Sequence, residues 1–356
     1  MSKREKSRPI PKKLGNSFEG ASRLKAAVEK AIANIEPDRP VVPVRRRTAA
    51  DFEGLHDQLV VYVDVLGVGA RLRAAKTGVA LFEVFQTICE VQRLLDVPSH
   101  ARDPADRAAA NEDVGKRVVA LSDGIVMAVD PVSSASAGHD PYDVLCMELE
   151  IVIYAQGLLA ERGIFVRGGV AHGRFYFEDD VLVSPALAEA HYLESILANG
   201  PRILIGAKTV RWLNGLKGSY AYGRELPTKR SLRRVHDIPG KYQMLDYLPV
   251  VANARDTDWV DHADLVRYRT TKDPEVKQAV INLQAKKAAR RTFKLHRSAV
   301  RKAAARIRRG KVLEKYAWLM RYHNEVVHGF WREFHDCKFR PAEISSILRR
   351  AKQAGD

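Results

Sequence analysis

Leu59-Val60-Val61-Tyr62-Val63-Asp64-Val65-Leu66, closed by Gly67-Val68-Gly69, is the stretch on which the reading of this chain turns. An apolar, β-branched run of this length that ends in glycines predicts a strand buried on both faces, followed by a tight turn. Asp64 interrupts the run. An ionised carboxylate there needs a cation or hydrogen-bond donors to offset its desolvation, so Asp64 is a candidate metal ligand. The plain alternative is an aspartate that caps the strand-end turn. Leu66, Gly67, Val68 and Gly69 would present backbone N–H groups at the start of a helix, a cradle for phosphate oxygens, although a GxG spacing alone is a weak signal.

Working outward, Phe82, Phe85, Ile88, Val91 and Leu95 recur at spacings of three and four, which predicts an amphipathic helix over 79–95 whose apolar face they form. After a Pro, Asp and Ala-rich loop at 98–113, Arg117–Leu121 and Ile125–Val129 read as two strands joined through Ser122-Asp123-Gly124 in a hairpin. A helix over 142–162 stops at Gly163, and a strand at 164–166 then runs into a glycine-spaced segment ending near Phe177. The order is βαββαβ. Further elements follow: a helix at 185–197, a strand at 203–205, a helix at 207–213 and strands near Tyr220 and at 243–247. Together they predict an α/β (α+β) domain spanning 51–250.

In a split βαββαβ sheet the hairpin runs antiparallel beside the first strand, so Asp123 at its tip would meet Asp64. Two close carboxylates favour a hard divalent cation with oxygen ligands, Mg²⁺ or Mn²⁺ rather than zinc. Tyr62 shares strand parity with Asp64, and Arg117 with Asp123, which makes both candidates for the base end of a substrate pocket. His172, His191, His323 and His328 lack the spacing and acidic neighbours of a metal site and read as structural.

The composition bounds the rest. The chain has 356 residues, is 46% hydrophobic and carries a formal charge of +16. No apolar run approaches the roughly 18 residues of a membrane span, and the first residues lack a signal peptide's apolar core, so the expectation is a cytoplasmic protein without stable membrane insertion. Cys89, Cys146 and Cys337 are too far apart for a CxxC site and read as structural. Residues 1–50 read as a flexible basic arm, and 251–356 as a helical, basic C-terminal region. Within it, 284–311 holds twelve Lys/Arg and no Asp/Glu. That segment could contact nucleic acid, with the α/β domain as a non-catalytic scaffold. It lacks the aromatic interleaving of a base-stacking platform, however, so nucleic acid is not the expected partner.

Three segments, taken in order, resemble the signatures of class III nucleotidyl cyclases. They are Tyr62-Val63-Asp64-Val65-Leu66-Gly67-Val68, Leu121-Ser122-Asp123-Gly124-Ile125 and Val166-Arg167-Gly168-Gly169-Val170-Ala171-His172-Gly173, and the resemblance covers 58 to about 215. It implies a class III cyclase-like fold and two Mn²⁺ or Mg²⁺ ions held by Asp64, the Val65 carbonyl and Asp123. It also implies attack of a ribose 3′-hydroxyl on the α-phosphate of a nucleoside triphosphate, in an active site completed by a homodimer. A diguanylate cyclase would show a GGDEF-like hairpin, which Leu121–Ile125 is not. Purine-selective members carry a Lys where this chain has Val119, and an Asn and an Arg on the later helix, which here reads Ala186-Leu187-Ala188-Glu189-Ala190-His191-Tyr192-Leu193-Glu194. These departures, together with Lys315-Tyr316-Ala317-Trp318-Leu319 and Tyr322-His323-Asn324, are similar to the bacterial pyrimidine cyclases of Pycsar anti-phage systems. That resemblance implies cyclic UMP or cyclic CMP as product and an effector protein activated through it.

Overall fold

The computed structural model describes residues 48–353, apart from 54, 97–110, 137, 139, 179–180, 217, 219–230, 255–260, 309 and 331. All but the end of the expected N-terminal arm, most of the loop at 98–113 and the strand near Tyr220 lie outside these residues.

The valine-rich run becomes β1 (Asp57–Val65), an interior strand, third of seven, in a mixed sheet. Its antiparallel partners are β3 (Gly124–Val129) on one side and β4 (Val166–Arg174) on the other. β2 (Lys116–Leu121) extends the sheet beyond β3. Past β4 come β7 (Ile203–Gly206), parallel to it, then β9 (Tyr242–Leu245) and β8 (Leu232–Arg234); β5 (Tyr176–Glu178) and β6 (Val181–Val183) form a separate hairpin. The βαββαβ order and the placement of the hairpin beside the first strand are as the hydrophobic periodicity predicts. A strand paired on both edges with both faces covered has no position for polar side chains except at its ends, and Asp64 is its penultimate residue.

Alternation along β1 divides the interior. Leu59, Val61, Val63 and Val65 face the main core, which helix α2 (Gly78–Leu95), after the short α1 (Val68–Ala74), shares with α3 (Pro141–Glu161). Each fully buried Val or Leu contributes roughly 1.5–3 kcal/mol relative to exposure. Val60 and Tyr62 face the other way, onto a smaller cluster with Val126, Ala128, Ala171 and Phe175 under α4 (Pro185–Tyr192). The glycine-spaced segment after Val166 turns out to be part of one nine-residue strand. A Cβ on Gly168 would sit 2.3 Å from the Tyr62 carbonyl oxygen, and one on Gly169 would sit 2.1 Å from that of Ala190. The glycines are there so that β1 and α4 can approach the backbone, not to end the strand.

The helix over 78–95 forms, and Ile88, Val91 and Leu95 meet the core as their spacing suggests, but Phe82 and Phe85 do not. Val84, Val91 and Leu95 are buried, whereas Phe82 and Phe85 are 55% and 60% exposed, their rings stacked at 6.3 Å, with Val79 exposed beside them. Helical periodicity gave two adjacent apolar stripes, and α3 and the sheet cover only one of them.

The C-terminal part is helical, as expected. After α5 (Ala207–Gly215), α6 (Tyr247–Ala254) spans position 250, followed by α7 (His262–Thr270), α8 (Pro274–Ala305), α9 (Val312–Phe330) and α10 (Pro341–Lys352). Phe293, Val300, Leu313, Tyr316 and Leu319 join the same core as β1 and α3. Much of the basic run is spent internally: Lys287 bonds Asp261 and Asp264, Arg290 and Lys294 reach Asp336, Arg297 bonds the carbonyls of Asp336 and Lys338, and Arg301 pairs with Glu343. His296 and His323 are fully buried and stacked at 5.1 Å, with their Nδ1 atoms 3.0 Å apart. His323 Nε2 lies 3.0 Å from the Cys337 carbonyl and so carries its proton, and its Nδ1 therefore accepts from His296. His296 Nε2 then accepts from the Tyr247 hydroxyl at 2.7 Å. One direction of donation satisfies the whole chain with both rings neutral. The three cysteines are unpaired. No helix among the described residues is long and apolar enough to cross a membrane.

Candidate active site

The register places Asp64 opposite Gly124 on β3 and Arg167 on β4. Asp123 lies in the two-residue turn, after Ser122, whose φ of 60° is left-handed. Gly124 is thus a strand residue, and the reason for glycine there is contact: a Cβ would fall 2.3 Å from the Tyr62 hydroxyl oxygen. The Tyr62 ring lies across the hairpin tip, edge-on to His191 at 5.2 Å. On the far side, Asp123 Oδ2 would lie 3.4 Å from a Cβ on Gly69, so its carboxylate faces the turn after β1. Gly67 holds that turn at φ 87°, a conformation that favours glycine.

The structure therefore brings together Asp64, Asp123, Tyr62 and the Gly67-Val68-Gly69 turn. Val65 closes β1 opposite Val166. The Leu66 N–H is used within the fold, donating to the Phe165 carbonyl at 2.8 Å. Arg117 is not part of this group. It is aligned through Ala128 with Val60, four residues and so about 13 Å along the strand from Asp64. Its Nη1 donates to the Phe177 carbonyl at 2.7 Å.

Three charged side chains complete the cluster. Arg167 Nε donates to Asp64 Oδ2 at 2.9 Å and also pairs with Glu194, which is 2% exposed in the π turn Leu193–Leu197 that extends α4. Such helix distortions are frequent at functional sites. Lys315 on α9 acts electrostatically on both Asp64 and Glu194. The parity of Arg167 with Asp64 follows only from the register. Glu194 and Lys315 are more than a hundred residues from Asp64, and no local spacing signals them.

Burial is the largest influence on these groups. It raises the Asp64 carboxyl above its ordinary value against the opposing bond from Arg167, with Asp123 adding to the rise. It lifts Glu194 to about 7 and the Tyr62 hydroxyl to about 12, the latter helped by Glu194, Asp64 and Asp123. Lys315 is lowered by burial and then by Arg167. A site crowded with carboxylates that resist ionisation is one that a cation would relieve. Among the described residues no three His, Cys, Asp or Glu side chains gather closely enough to ligate one ion. Two carboxylates with backbone, water and phosphate oxygens are the donor set that Mg²⁺-type ions commonly accept, so Asp64 and Asp123 fit that chemistry.

The chain matches no family model, and no curated protein matches it. Among solved structures, two of a bacterial light-regulated adenylyl cyclase match with a TM-score of 0.32, at 9% and 10% identity, covering 78% and 65% of this chain and 72% and 63% of theirs. A guanylyl cyclase matches with a TM-score of 0.24 at 10% identity, over 53% of this chain and 89% of its own.

Proposed function

We propose that this chain is a metal-dependent nucleotide cyclase, and that its substrate is a pyrimidine nucleoside triphosphate, UTP or CTP, closed to the 3′,5′-cyclic monophosphate with release of pyrophosphate. The observation that carries the reading is the convergence of Asp64 and Asp123 on the left-handed Gly67 turn. Asp64, Asp123 and the Val65 carbonyl would hold two Mn²⁺ or Mg²⁺ ions. When bound, such ions lower the pKa of the attacking hydroxyl and neutralise triphosphate charge. The chain's own part is positioning. Arg167 and Lys315 supply positive charge where the α-phosphate would gain negative charge, and Val68 and Gly69 in the first turn of α1 offer N–H groups to the remaining phosphates. Tyr62 stays protonated and so remains a hydrogen-bond donor.

Pyrimidine selectivity rests on the residues flanking Tyr62. Val119 is aligned with it through Val126, so no lysine stands at that strand position to read a purine, and the helix that would carry an Asn and an Arg presents Glu194 instead. A homodimer fits the exposed Phe82 and Phe85, an apolar patch of the kind that marks protein contacts. We place the product as a cytoplasmic second messenger of anti-phage defence that activates an effector. Nucleic-acid binding through 284–311 is disfavoured because Lys287, Arg290, Lys294, Arg297 and Arg301 are committed to internal partners. Incubation with Mn²⁺ and each triphosphate, with the product identified by mass, tests the proposal; no cyclic product from any of the four removes it.

A further inference from the structure

A cavity of about 340 Å³ lies between the β8–β9 edge of the sheet and α9, and none of the residues around Asp64 lines it. Arg202, Arg233, Arg234 and Arg321 all do, beside His236, against only two lining carboxylates, Asp237 and Glu325. Sheet edges and helices that converge four guanidinium groups on one small space work against their mutual repulsion. Arg202 and Arg233 are each met by a carboxylate, so the charge left to compensate is that of the exposed Arg234 and Arg321, which a negative group in the space would do.

Arg202 is the key member. It is 2% exposed, packs its guanidinium 5.1 Å from the Trp318 ring centroid, and directs Nη1 to both oxygens of Asp237 at 2.7 and 2.9 Å. Its Nε and Nη2 have no hydrogen-bond partner. Two nitrogens, carrying three N–H donors, left unsatisfied on a buried cation are costly. Asp237 is half-exposed, so it is a carboxylate that can swing away and leave its place to a competing anion. Arg233 is anchored by Asp246 at 2.9 Å and reaches Glu325 at 3.5 Å. Arg234 and Arg321 form no ion pair with any described residue.

We propose that this cavity is a binding site for a small phosphorylated anion, separate from the carboxylate cluster. Guanidinium forks match phosphate oxygens in pairs, and the volume is at the low end of small-molecule pockets, enough for pyrophosphate or a nucleoside monophosphate. The inference holds whether or not the chain is a cyclase. Its test is calorimetric titration of the full chain in a metal chelator, with pyrophosphate and with uridine monophosphate as probes. At least one probe binds, and Arg234→Ala with Arg321→Ala weakens it tenfold or more. Asp237→Asn tightens it, and Asp64→Asn leaves it unchanged. The better-binding probe tells whether the site takes a free or a nucleoside-borne phosphate. Absence of binding for both at millimolar concentration overturns the proposal. So does a loss on Asp64→Asn, or an equal loss on Arg291→Ala in α8, which would mean diffuse attraction to a basic chain.

Discussion

Arg167 Nε donates to Asp64 Oδ2 at 2.9 Å across the β1–β4 register pair, and the same guanidinium holds Glu194. One cation thus compensates two largely buried carboxylates. Removing it with Arg167→Met leaves both acids exposed to their desolvation penalty. Stability should fall by about 2 kcal/mol in urea titrations without metal. Millimolar Mn²⁺ should restore more stability to the variant than to the wild type, because an ion on Asp64 replaces the lost charge. An equal Mn²⁺ effect in both proteins would separate Arg167 from the metal-binding carboxylates.

Glu194, lifted to about 7, gives a pH signature in the metal-free protein. Its folded value lies above its unfolded one, so the native state holds the proton more tightly. The stability it contributes is present below about 4.5 and is lost as pH rises towards 7. Glu194→Gln should therefore flatten the stability profile between those limits relative to wild type. A superimposable profile would remove Glu194 from the account.

The His296–His323 stack has the opposite sign. Burial holds His296 well below its ordinary value and brings His323 down to about 4. The neutral forms are thus part of the fold, with stability present above about 6.5 and lost as pH falls towards 4. His296→Gln keeps a donor and an acceptor for the relay and should reduce this acid sensitivity. Hydrogen exchange in α8 and α9 at pH 4.5 and 7 reports it. Because the two slopes oppose each other in the wild type, each is read as a variant-minus-wild-type difference.

Gly169→Ala would place a methyl 2.1 Å from the Ala190 carbonyl and should destabilise by several kcal/mol or force α4 off the sheet. Gly329→Ala, exposed in α9 with nothing within 4 Å, should be neutral or stabilising by up to about 1 kcal/mol. Chemical denaturation of the two variants checks the contrast.

These residues also show where a sequence can be read and where it cannot. The β1 run and the Asp123 hairpin are local patterns whose burial follows from composition, so the central strands and the meeting of Asp64 with Asp123 were legible. Phe82 and Phe85 share the helix's apolar face by spacing yet lie exposed, because periodicity defines faces without saying which part another element will cover. The glycine-spaced segment did not read as a continuous strand because the reasons for Gly168 and Gly169 lie in β1, about a hundred residues back, and in α4, some twenty residues on. Glu194 and Lys315 reach the site through a π turn and through α9 at the other end of the chain, and Arg117 shared parity with the site without sharing its position along the strand. Contacts of that kind exist only once the chain is folded.

The most direct test of the central claim is cyclic-nucleotide formation by the full chain with Mn²⁺, offered each of the four triphosphates, beside Asp64→Asn and Asp123→Asn. A cyclic pyrimidine product is expected from the wild type, with a loss of at least a hundredfold, about 2.7 kcal/mol, in each variant that still folds. A purine product would contradict the substrate assignment. Activity that survives Asp64→Asn would contradict the site itself.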